Sequence, residues 1–308
     1  MKKLMIPVFA GPTASGKSAL AMRAAKELGG EIVCMDSMQV YRFMDIGTAK
    51  PSKAERERVP HHMLDVAGPD DPYSVAEYAQ GAKAAINGIL SRGNLPVLCG
   101  GTGLYLRALS GRMDFGFAPS DPAVREKYQR IADEQDAFAL HRMLRERDPK
   151  SADRLHPNDL RRVIRALEVL ELTGHPFSAQ EMPENRMEEW DLRLFALSWP
   201  RETLYRRINT RVDGMISDGL AEEVKALLDM GVSPQAQSMQ GLGYKELVPH
   251  LNGETSLAEA RDLIARRTRN YAKRQLTWFN ADKRICWLPG EEGMDAHMRA
   301  VRHGLEDG

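Results

Sequence analysis

The sequence GPTASGKS, Gly11 to Ser18, constrains the fold of this chain more than any other stretch. It matches the pattern G-x-x-x-x-G-K-S/T, in which a glycine-rich loop wraps around phosphate oxygens. An apolar run at residues 4–10 precedes it, and a segment with helical spacing at residues 18–28 follows it. A phosphate-binding loop requires this context, and a chance glycine-rich turn rarely has it. We therefore predict such a loop between a buried strand and a helix.

Two further apolar runs end in polar or glycine-rich turns. Residues 31–35 end at Asp36, and residues 95–99 end in the turn GGTG, which contains Thr102 and precedes another helical segment. Strand, turn and helix in repeated succession predict an α/β fold with a doubly wound parallel sheet. Ligands bind at the carboxyl ends of the strands in such sheets, so we expect the phosphate-binding loop, Asp36 and Thr102 to converge on one crevice.

The sequence pattern changes after about residue 114. From there to residue 190 we find helical patterns and no strand-like run, and we expect Ser120 and Asn158 to cap two of the helices. Apolar strand patterns return after residue 190. We therefore predict an all-helical insertion at residues 114–190 within a P-loop α/β domain that is formed by residues 1–113 and 191–308.

The charge balance excludes a strong overall field. The chain has 43 Lys and Arg residues and 43 Asp and Glu residues, so any site for a polyanion must be a local basic patch. Three dispersed cysteines give no zinc-binding spacing and no disulfide framework. No apolar run approaches the roughly 18 residues of a membrane span. We expect a cytoplasmic protein that does not contact membranes.

The phosphate-binding loop supplies several kinds of donor. Backbone N–H groups at a helix N-terminus bind anions with the favourable helix dipole, and Lys17 adds a point charge. The Ser18 hydroxyl is a candidate ligand for a Mg²⁺ ion that would neutralise a diphosphate. The predicted phosphate-binding residues are Gly11, Pro12, Thr13, Ala14, Ser15, Gly16, Lys17 and Ser18.

Three residues outside the loop are candidates for chemistry. Asp36 could act as a general base or hold Mg²⁺ through water, and the alternative is a carboxylate that caps a turn. Thr102 offers a hydroxyl to the same crevice, or it caps a helix. Arg211, one helical turn after Arg207, could bind a departing phosphate, or both arginines could lie on a solvated helix face.

A basic segment near the C-terminus is a candidate surface for a nucleic-acid backbone. Its alternative is an ordinary charged helix face with the aromatic residues turned inward. The basic residues are Arg261, Arg266, Arg267, Arg269, Lys273 and Arg274, with Tyr271 and Trp278 between or beside them.

Seven sequence blocks occur in an order that is typical of one enzyme family. They are GPTASGKS, DSMQVYRFMDIGTAKP, PHHMLDV, YSVAEY, GGTGLYLRAL, HPNDLRRVIRALEV and YAKRQLTWF. Together they closely resemble the bacterial tRNA dimethylallyltransferases, also called tRNA isopentenyl transferases. The resemblance runs from about residue 8 to residue 279. Two departures from the family pattern are Arg161, where Gln is common, and Asn280, where Arg is common.

The resemblance implies a reaction and its participants. Enzymes of this family transfer the dimethylallyl group of dimethylallyl diphosphate to N6 of an adenosine beside the anticodon of tRNA, with Mg²⁺, and release diphosphate. By this resemblance, Lys17, Ser18 through Mg²⁺, and Arg211 would stabilise the diphosphate. Asp36 would take the N6 proton, and Thr102 would position the diphosphate or the adenosine.

The resemblance also implies a tRNA-binding surface. The helical insertion would clasp the anticodon stem-loop, and we expect the chain to act as a monomer. The tRNA-binding residues implied are Asp36, Ser37, Met38, Gln39, Thr102, Arg161, Arg162, Val163, Ile164, Arg165, Gly241, Leu242, Gly243, Tyr244, Lys245, Lys273, Arg274, Gln275 and Trp278.

Three alternative functions share part of these features. A small-molecule or nucleoside kinase would use the same loop on ATP, with Asp36 serving Mg²⁺ or an acceptor hydroxyl. An adenylate isopentenyltransferase would need the loop and Asp36 but not the blocks that face tRNA. An RNA-binding protein with a degenerate nucleotide site would not need Lys17, Ser18 and Asp36, which are all present.

Overall fold

A computed structural model describes residues 3–111, 121–179 and 190–306 of the chain. The chain divides into two compact units, one of residues Met1–Ser110 with Glu188–Gly308 and one of residues Gly111–Met187. Each unit contains a hydrophobic core of its own. The predicted boundary between residues 113 and 114 lies outside the described residues, as does the predicted cap Ser120.

Among the described residues of the first unit, six strands form one parallel sheet. Along the chain they are β1 (Met5–Ala10), β2 (Gly30–Cys34), β3 (His61–His62), β4 (Leu95–Gly100), β5 (Asp191–Ser198) and β6 (Cys286–Pro289). Their spatial order is β3-β2-β4-β1-β5-β6, and every neighbouring pair is parallel. The predicted α/β class is confirmed. Strand β3 was not predicted, because two residues are too few to show a strand periodicity.

The sheet order brings three polar turns to one edge. Strands β1, β2 and β4 are neighbours, and their carboxyl ends lead into the phosphate-binding loop, into Asp36 and into the turn that contains Thr102. Met35 N–H donates to the Cys99 carbonyl at 2.7 Å, and Thr102 N–H donates to the Met35 carbonyl at 3.2 Å, so the ends of β2 and β4 are tied together. This edge of the sheet positions the candidate site.

The N-terminal helices of the first unit are α1 (Lys17–Leu28), α2 (Lys53–Arg58), α3 (Val75–Ser91) and α4 (Gly103–Leu109). Two of them, α2 and α3, begin with a capping box. In each, a serine hydroxyl accepts from the backbone N–H of a glutamate three residues later, and the carboxylate of that glutamate accepts from the serine N–H. Gly29 ends α1 in the left-handed region, at φ +65°.

The described part of the second unit is helical, with a core around Tyr128, Leu140 and Leu167. Its helices are α5 (Pro122–Glu134), α6 (Ala137–Arg147), α7 (Pro149–Arg154) and α8 (Leu160–Thr173). The cap of α8 is Asp159 and not the predicted Asn158, because the helix begins one residue later than the sequence suggested. Helix α7 was not predicted, because it is only six residues long.

The remaining helices belong to the first unit. They are α9 (Arg201–Ser217), α10 (Leu220–Asp229), α11 (Tyr244–Leu251), α12 (Leu257–Asn280) and α13 (Met294–Glu306). The longest, α12, packs against α9 and α11, and α13 packs against α1 and the sheet. In the part of the chain that the structure describes, no helix combines the length and the apolar character needed to cross a membrane.

Candidate functional site

The phosphate-binding loop, residues 11–18, connects β1 to α1. Gly11 has φ +129° and Gly16 has φ +100°, and both values lie in the region that favours glycine. The first turn of α1 holds no acidic residue, and no described side chain caps it. Its backbone N–H groups are therefore available to an anion, as the sequence pattern predicts.

Lys17 lies half-buried at the start of α1, and its Nζ donates to the Pro12 carbonyl at 3.2 Å. Burial lowers the pKa of Lys17, and the nearby Arg211 acts in the same direction, whereas Asp36 raises it. Two cations that share a desolvated site are stabilised by a bound anion. The charge arrangement thus favours a ligand with several negative oxygens.

Helix α9 presents two arginines to the loop. Arg211 Nη1 lies 3.5 Å from the Thr13 hydroxyl, and burial lowers the pKa of this arginine. Arg207 Nε donates to the Ala14 carbonyl at 2.8 Å, and its guanidinium lies over the Trp199 ring. Both arginines therefore contact the phosphate-binding loop. Arg211 is partly buried there, whereas Arg207 contacts the loop from an exposed position on the helix.

Asp36 follows β2 and is half-buried. Its Oδ1 accepts from the backbone N–H of Met38 at 2.9 Å and from that of Gln39 at 3.4 Å, so the carboxylate does cap a turn. Among the described residues, Oδ2 has no hydrogen-bond partner. One oxygen therefore fixes the orientation of the carboxylate, and the other is available for proton transfer.

Thr102 supports the turn after β2 and does not line the cavity. Its hydroxyl oxygen accepts from the Ser37 N–H at 3.1 Å, and it makes no side-chain cap for α4 although it occupies the N-cap position. The structure thus places Thr102 behind Ser37, next to Asp36. Thr102 therefore does not line the cavity, and any part that it takes in positioning the diphosphate or the adenosine is through Ser37.

A cavity of about 390 Å³ joins the loop to Asp36. A second cavity, of about 610 Å³, is lined by residues of the same loop together with Arg206 and Arg207. Lys17 and Arg211 line both cavities. The predicted site residues that line the first cavity are Thr13, Ala14, Lys17, Ser18, Asp36, Ser37, Met38, Gln39, Arg211, Gly241, Leu242, Tyr244, Lys245, Arg274 and Gln275.

The predicted tRNA-binding residues of the second unit fall into two groups. Arg161 and Arg162 are exposed at the start of α8, and Arg165 forms an ion pair with Glu168 at 2.6 Å. Val163 and Ile164 are buried in the core of that unit. Their side chains face away from solvent, as the helical period requires, so these two residues are corrected from tRNA contacts to core positions.

The block Gly241–Lys245 is largely structural. Tyr244 is buried and its hydroxyl donates to Glu223 Oε1 at 2.6 Å. The same glutamate accepts from the backbone N–H groups of residues 45–47 and thereby holds the loop beside the cavity. Glu223 was not predicted, because its partners are distant along the chain. Lys245 is half-buried and lines the cavity.

Helix α12 has an exposed basic face and a buried face. Lys273 and Arg274 are exposed, and Arg274 lies over the Tyr271 ring at 5.5 Å. Gln275 is buried and hydrogen-bonds the phosphate-binding loop, so its side chain is not available to tRNA. Trp278 packs against Gly103, where an added Cβ would lie 2.4 Å from the indole ring.

The donor set suits a metal ion that takes most of its ligands from a diphosphate. Within the described residues, no group of three or more His, Cys, Asp or Glu side chains could hold a metal. Ser18 is exposed at the start of α1, and Asp36 has a free oxygen in the same cavity. Because Mg²⁺ is commonly held by one or two protein oxygens together with substrate phosphates, these residues are compatible with it.

Two family models and several named relatives match this chain. The family model described as IPP transferase matches residues 39–282, and the one described as isopentenyl transferase matches residues 4–69. The chain is 50% identical to the tRNA dimethylallyltransferase of Pelotomaculum thermopropionicum, over 97% of this chain and 95% of that protein. It is 48% identical to that of Geobacter sulfurreducens, over 96% of this chain and 94% of the relative.

Solved structures are similar over nearly the whole chain. The tRNA isopentenylpyrophosphate transferase of Bacillus halodurans is 40% identical, with a TM-score of 0.73, and the match covers 99% of this chain and 98% of that one. A eukaryotic dimethylallyltransferase acting on tRNA is 30% identical with a TM-score of 0.83, and the match covers 97% of this chain and 78% of that one.

Proposed function

The chain belongs to the IPP transferase family, and we propose that it transfers the dimethylallyl group of dimethylallyl diphosphate to N6 of an adenosine in tRNA. The acceptor is the adenosine next to the anticodon, at position 37, and the second product is diphosphate. The relatives that carry the name tRNA dimethylallyltransferase support this activity at about half identity over almost the full chain.

One observation carries the assignment of roles within this chain. A single cavity is lined both by Lys17, Ser18 and Arg211 and by Asp36 and Gln39. A diphosphate bound by the first set and a nucleobase bound by the second would share this cavity. In the proposed reaction the loop holds a leaving group, and no ATP is hydrolysed.

The chemistry explains why the diphosphate end is so cationic. Adenine N6 is a weak nucleophile, because its lone pair is delocalised into the ring. An allylic carbon compensates by developing positive charge while its bond to the diphosphate oxygen breaks. Lys17, Arg211 and the loop N–H groups stabilise the negative charge that develops on that oxygen. Arg206 and Arg207, which line the second cavity, add positive charge beside the same loop.

Asp36 acts as the general base. Its Oδ2 accepts the proton that N6 loses as the new carbon–nitrogen bond forms, while Oδ1 remains bound to the Met38 N–H. Thr102 acts on this step indirectly, because its hydroxyl holds Ser37 in place. The target adenosine must leave the stack of the anticodon loop to reach the cavity.

The tRNA contacts that we retain are those with accessible side chains. Met38, Gln39 and Lys245 line the cavity, and Lys273 and Arg274 are exposed on α12. On the second unit, Arg161 and Arg162 would bind the anticodon stem-loop. Basic side chains that neutralise phosphates supply affinity without sequence information.

We assign Mg²⁺ to the Ser18 hydroxyl and to oxygens of the diphosphate. When bound, the ion neutralises part of the charge on the leaving group. Ser18 orients it from the first turn of α1, and Asp36 keeps Oδ2 for the proton. Replacing Ser18 with alanine would then raise the Mg²⁺ concentration needed for half-maximal rate.

A single chain supplies every residue invoked here, so we propose that the active form is a monomer. Because its acceptor is tRNA, we place the reaction in the cytoplasm. Light scattering of the purified protein in the presence and absence of tRNA tests the first statement. A dimer that forms only with tRNA would contradict it.

A transfer assay tests the function directly. One reaction contains unmodified tRNA, Mg²⁺ and labelled dimethylallyl diphosphate, and a parallel reaction offers AMP as the acceptor. ATP is omitted from both. We expect label in the tRNA alone. Label in AMP would assign the enzyme to free nucleotides, and the absence of transfer to either acceptor by folded protein would support the ATP-dependent kinase.

A further inference from the structure

The buried amide of Gln275 joins two loops of the site. Its Oε1 accepts from the Thr13 N–H at 2.9 Å, and its Nε2 donates to the Gly101 carbonyl at 2.8 Å. The side chain is 7% exposed. Only one orientation of the amide satisfies both bonds, because a flipped amide would place an oxygen against the carbonyl and an NH₂ group against the N–H.

The surroundings of Gln275 are shaped to admit this amide. A Cβ added at Gly101 would lie 2.3 Å from Gln275 Nε2, so a larger residue at that position would displace the side chain. The preceding residues, Lys273 and Arg274, are exposed on the same helix. Gln275 therefore differs from its neighbours in α12, and its contacts lie within the protein.

Each loop that Gln275 holds leads to a different part of the reaction. Thr13 belongs to the phosphate-binding loop, and its hydroxyl faces Arg211. Gly101 precedes Thr102, whose hydroxyl accepts from the Ser37 N–H beside the proposed base Asp36. One side chain thus connects the loop that would bind the diphosphate with the turn that supports the proposed base.

We propose that Gln275 is a positioning residue that sets the spacing between the phosphate-binding loop and Asp36. The proposal rests on the proposed function, since it concerns the geometry of the same transfer. The allylic carbon must lie in line between the departing diphosphate oxygen and N6, and an error of about 1 Å in such a geometry can cost 10²-fold in rate. Loss of the amide lowers kcat and leaves the affinity for tRNA unchanged.

Two substitutions of similar size test this proposal. Gln275→Glu retains an acceptor for the Thr13 N–H but loses the donor to Gly101 when ionised, and Gln275→Met retains only the length of the side chain. We expect kcat to fall at least tenfold at pH 8 in both, with the Kd for tRNA within twofold of wild type. Thr277→Ala, on the exposed face of the same helix, is the matched control and should keep wild-type kcat.

The pH profile separates positioning from a general structural defect. The site of Gln275 is buried and faces the Gly101 carbonyl, so it raises the pKa of a carboxyl introduced by Gln275→Glu. The protonated carboxyl can donate to that carbonyl, so the ratio of variant to wild-type kcat should rise several-fold from pH 8 to pH 6. The Gln275→Met variant should show no such rise. Gln275→Glu matches the shape of the native side chain, so it keeps the test valid if Gln275→Met fails to fold.

The results that would overturn the proposal are distinct from failure of the function. Weaker tRNA binding with unchanged kcat would make Gln275 a tRNA contact. Unchanged kcat in both variants, or a pH-independent ratio for Gln275→Glu, would exclude the positioning role alone. If the wild-type protein transfers no label, the proposed function fails and this proposal fails with it.

Discussion

Strand β2 has a carboxylate near each end, and the two have opposite environments. Glu31, near the amino end, is 5% exposed and is bound by Arg92, Asn94 and His62 at distances of 2.6–3.1 Å. Asp36, beyond the carboxyl end, uses one oxygen for two backbone N–H groups and leaves the other without a partner among the described residues. Both oxygens of the Glu31 carboxylate accept hydrogen bonds, whereas only one oxygen of the Asp36 carboxylate does.

The difference shows how one strand serves two purposes. The Arg92 guanidinium, with Asn94 and His62, lowers the pKa of Glu31 to about 2, so that the folded state favours its ionised form. A saturated carboxylate stabilises the fold but cannot accept a proton from a substrate. A carboxylate with a free oxygen in a cavity contributes less to stability and is available for chemistry.

The largest effect is expected at Asp36, where two variants distinguish the charge of the carboxylate from its hydrogen bonds to the following turn. Asp36→Asn retains an oxygen that can accept from the Met38 N–H, whereas Asp36→Ala removes it. We expect both variants to lower kcat by roughly 10² or more, because neither can take the N6 proton. Single-turnover transfer of labelled dimethylallyl groups measures this rate, and tRNA binding should stay nearly intact.

The two Asp36 variants should differ in stability and not in rate. Loss of the turn bonds in Asp36→Ala costs about 1 kcal/mol, and Asp36→Asn should cost less. If Asp36→Asn transfers at close to the wild-type rate, the carboxylate is not the base. Glu31 and Asp36 would then differ in their hydrogen bonds but not in a catalytic role.

Glu31→Gln should lower the stability of the fold and leave the transfer rate unchanged, which is the reverse of the result expected for Asp36→Asn. Removing the charge leaves Arg92 without its partner and should lower the free energy of unfolding by roughly 2–3 kcal/mol at pH 7. Transfer kinetics at 25 °C should be unchanged, since Glu31 lies at the opposite end of the strand from the site. Denaturant unfolding measures the stability, with the exposed Glu57→Gln as the control. Equal stability of the two variants would contradict the role of the Glu31 network.

The pH dependence of the Glu31 contribution has a definite sign. The folded-state pKa, about 2, lies below the ordinary value of 4.5, so the stabilisation is fully present above pH 4.5. It is lost as the pH falls from 4.5 to 2, where the unfolded chain binds the proton first. The stability difference between wild type and Glu31→Gln should therefore shrink on acidification. A difference that stays constant from pH 7 to pH 3 would contradict the assignment.

The part of this architecture that follows from sequence is the local part. Short contiguous patterns predict the phosphate-binding loop, the apolar strands and Asp36 at a strand end. The structure places the loop and Asp36 at one edge of the sheet. Local periodicity also predicted most of the helices. It gave no prediction for β3, α2, α7 and α11, where few residues carry the pattern, and it also missed the longer helices α3 and α13.

The contacts that sequence could not supply are those between distant segments. Gln275 lies 262 positions from Thr13, and nothing near it in the sequence distinguishes its buried amide from the exposed Lys273 and Arg274. Likewise, Val163 and Ile164 lie in a block that resembles a tRNA-binding motif, but the helical period turns both into the core. A motif marks a segment, whereas packing decides which side chains of that segment reach the ligand.

The smallest effect is expected for two exposed cations of α12, and it tests whether a charge without an ion-pair partner takes part in the reaction. Like Asp36, Lys273 and Arg274 have no ion-pair partner among the described residues, but both are exposed on α12. We expect the double variant Lys273→Ala, Arg274→Ala to bind tRNA several-fold more weakly. The slope of log K against log salt should fall in magnitude by about 1 to 2, because fewer counterions are released from the tRNA when fewer of its phosphates are contacted. Saturating tRNA should restore the wild-type kcat. A kcat that stays low at saturation would show that these charges act on the reaction itself, and exposure would no longer distinguish a binding charge from a catalytic one.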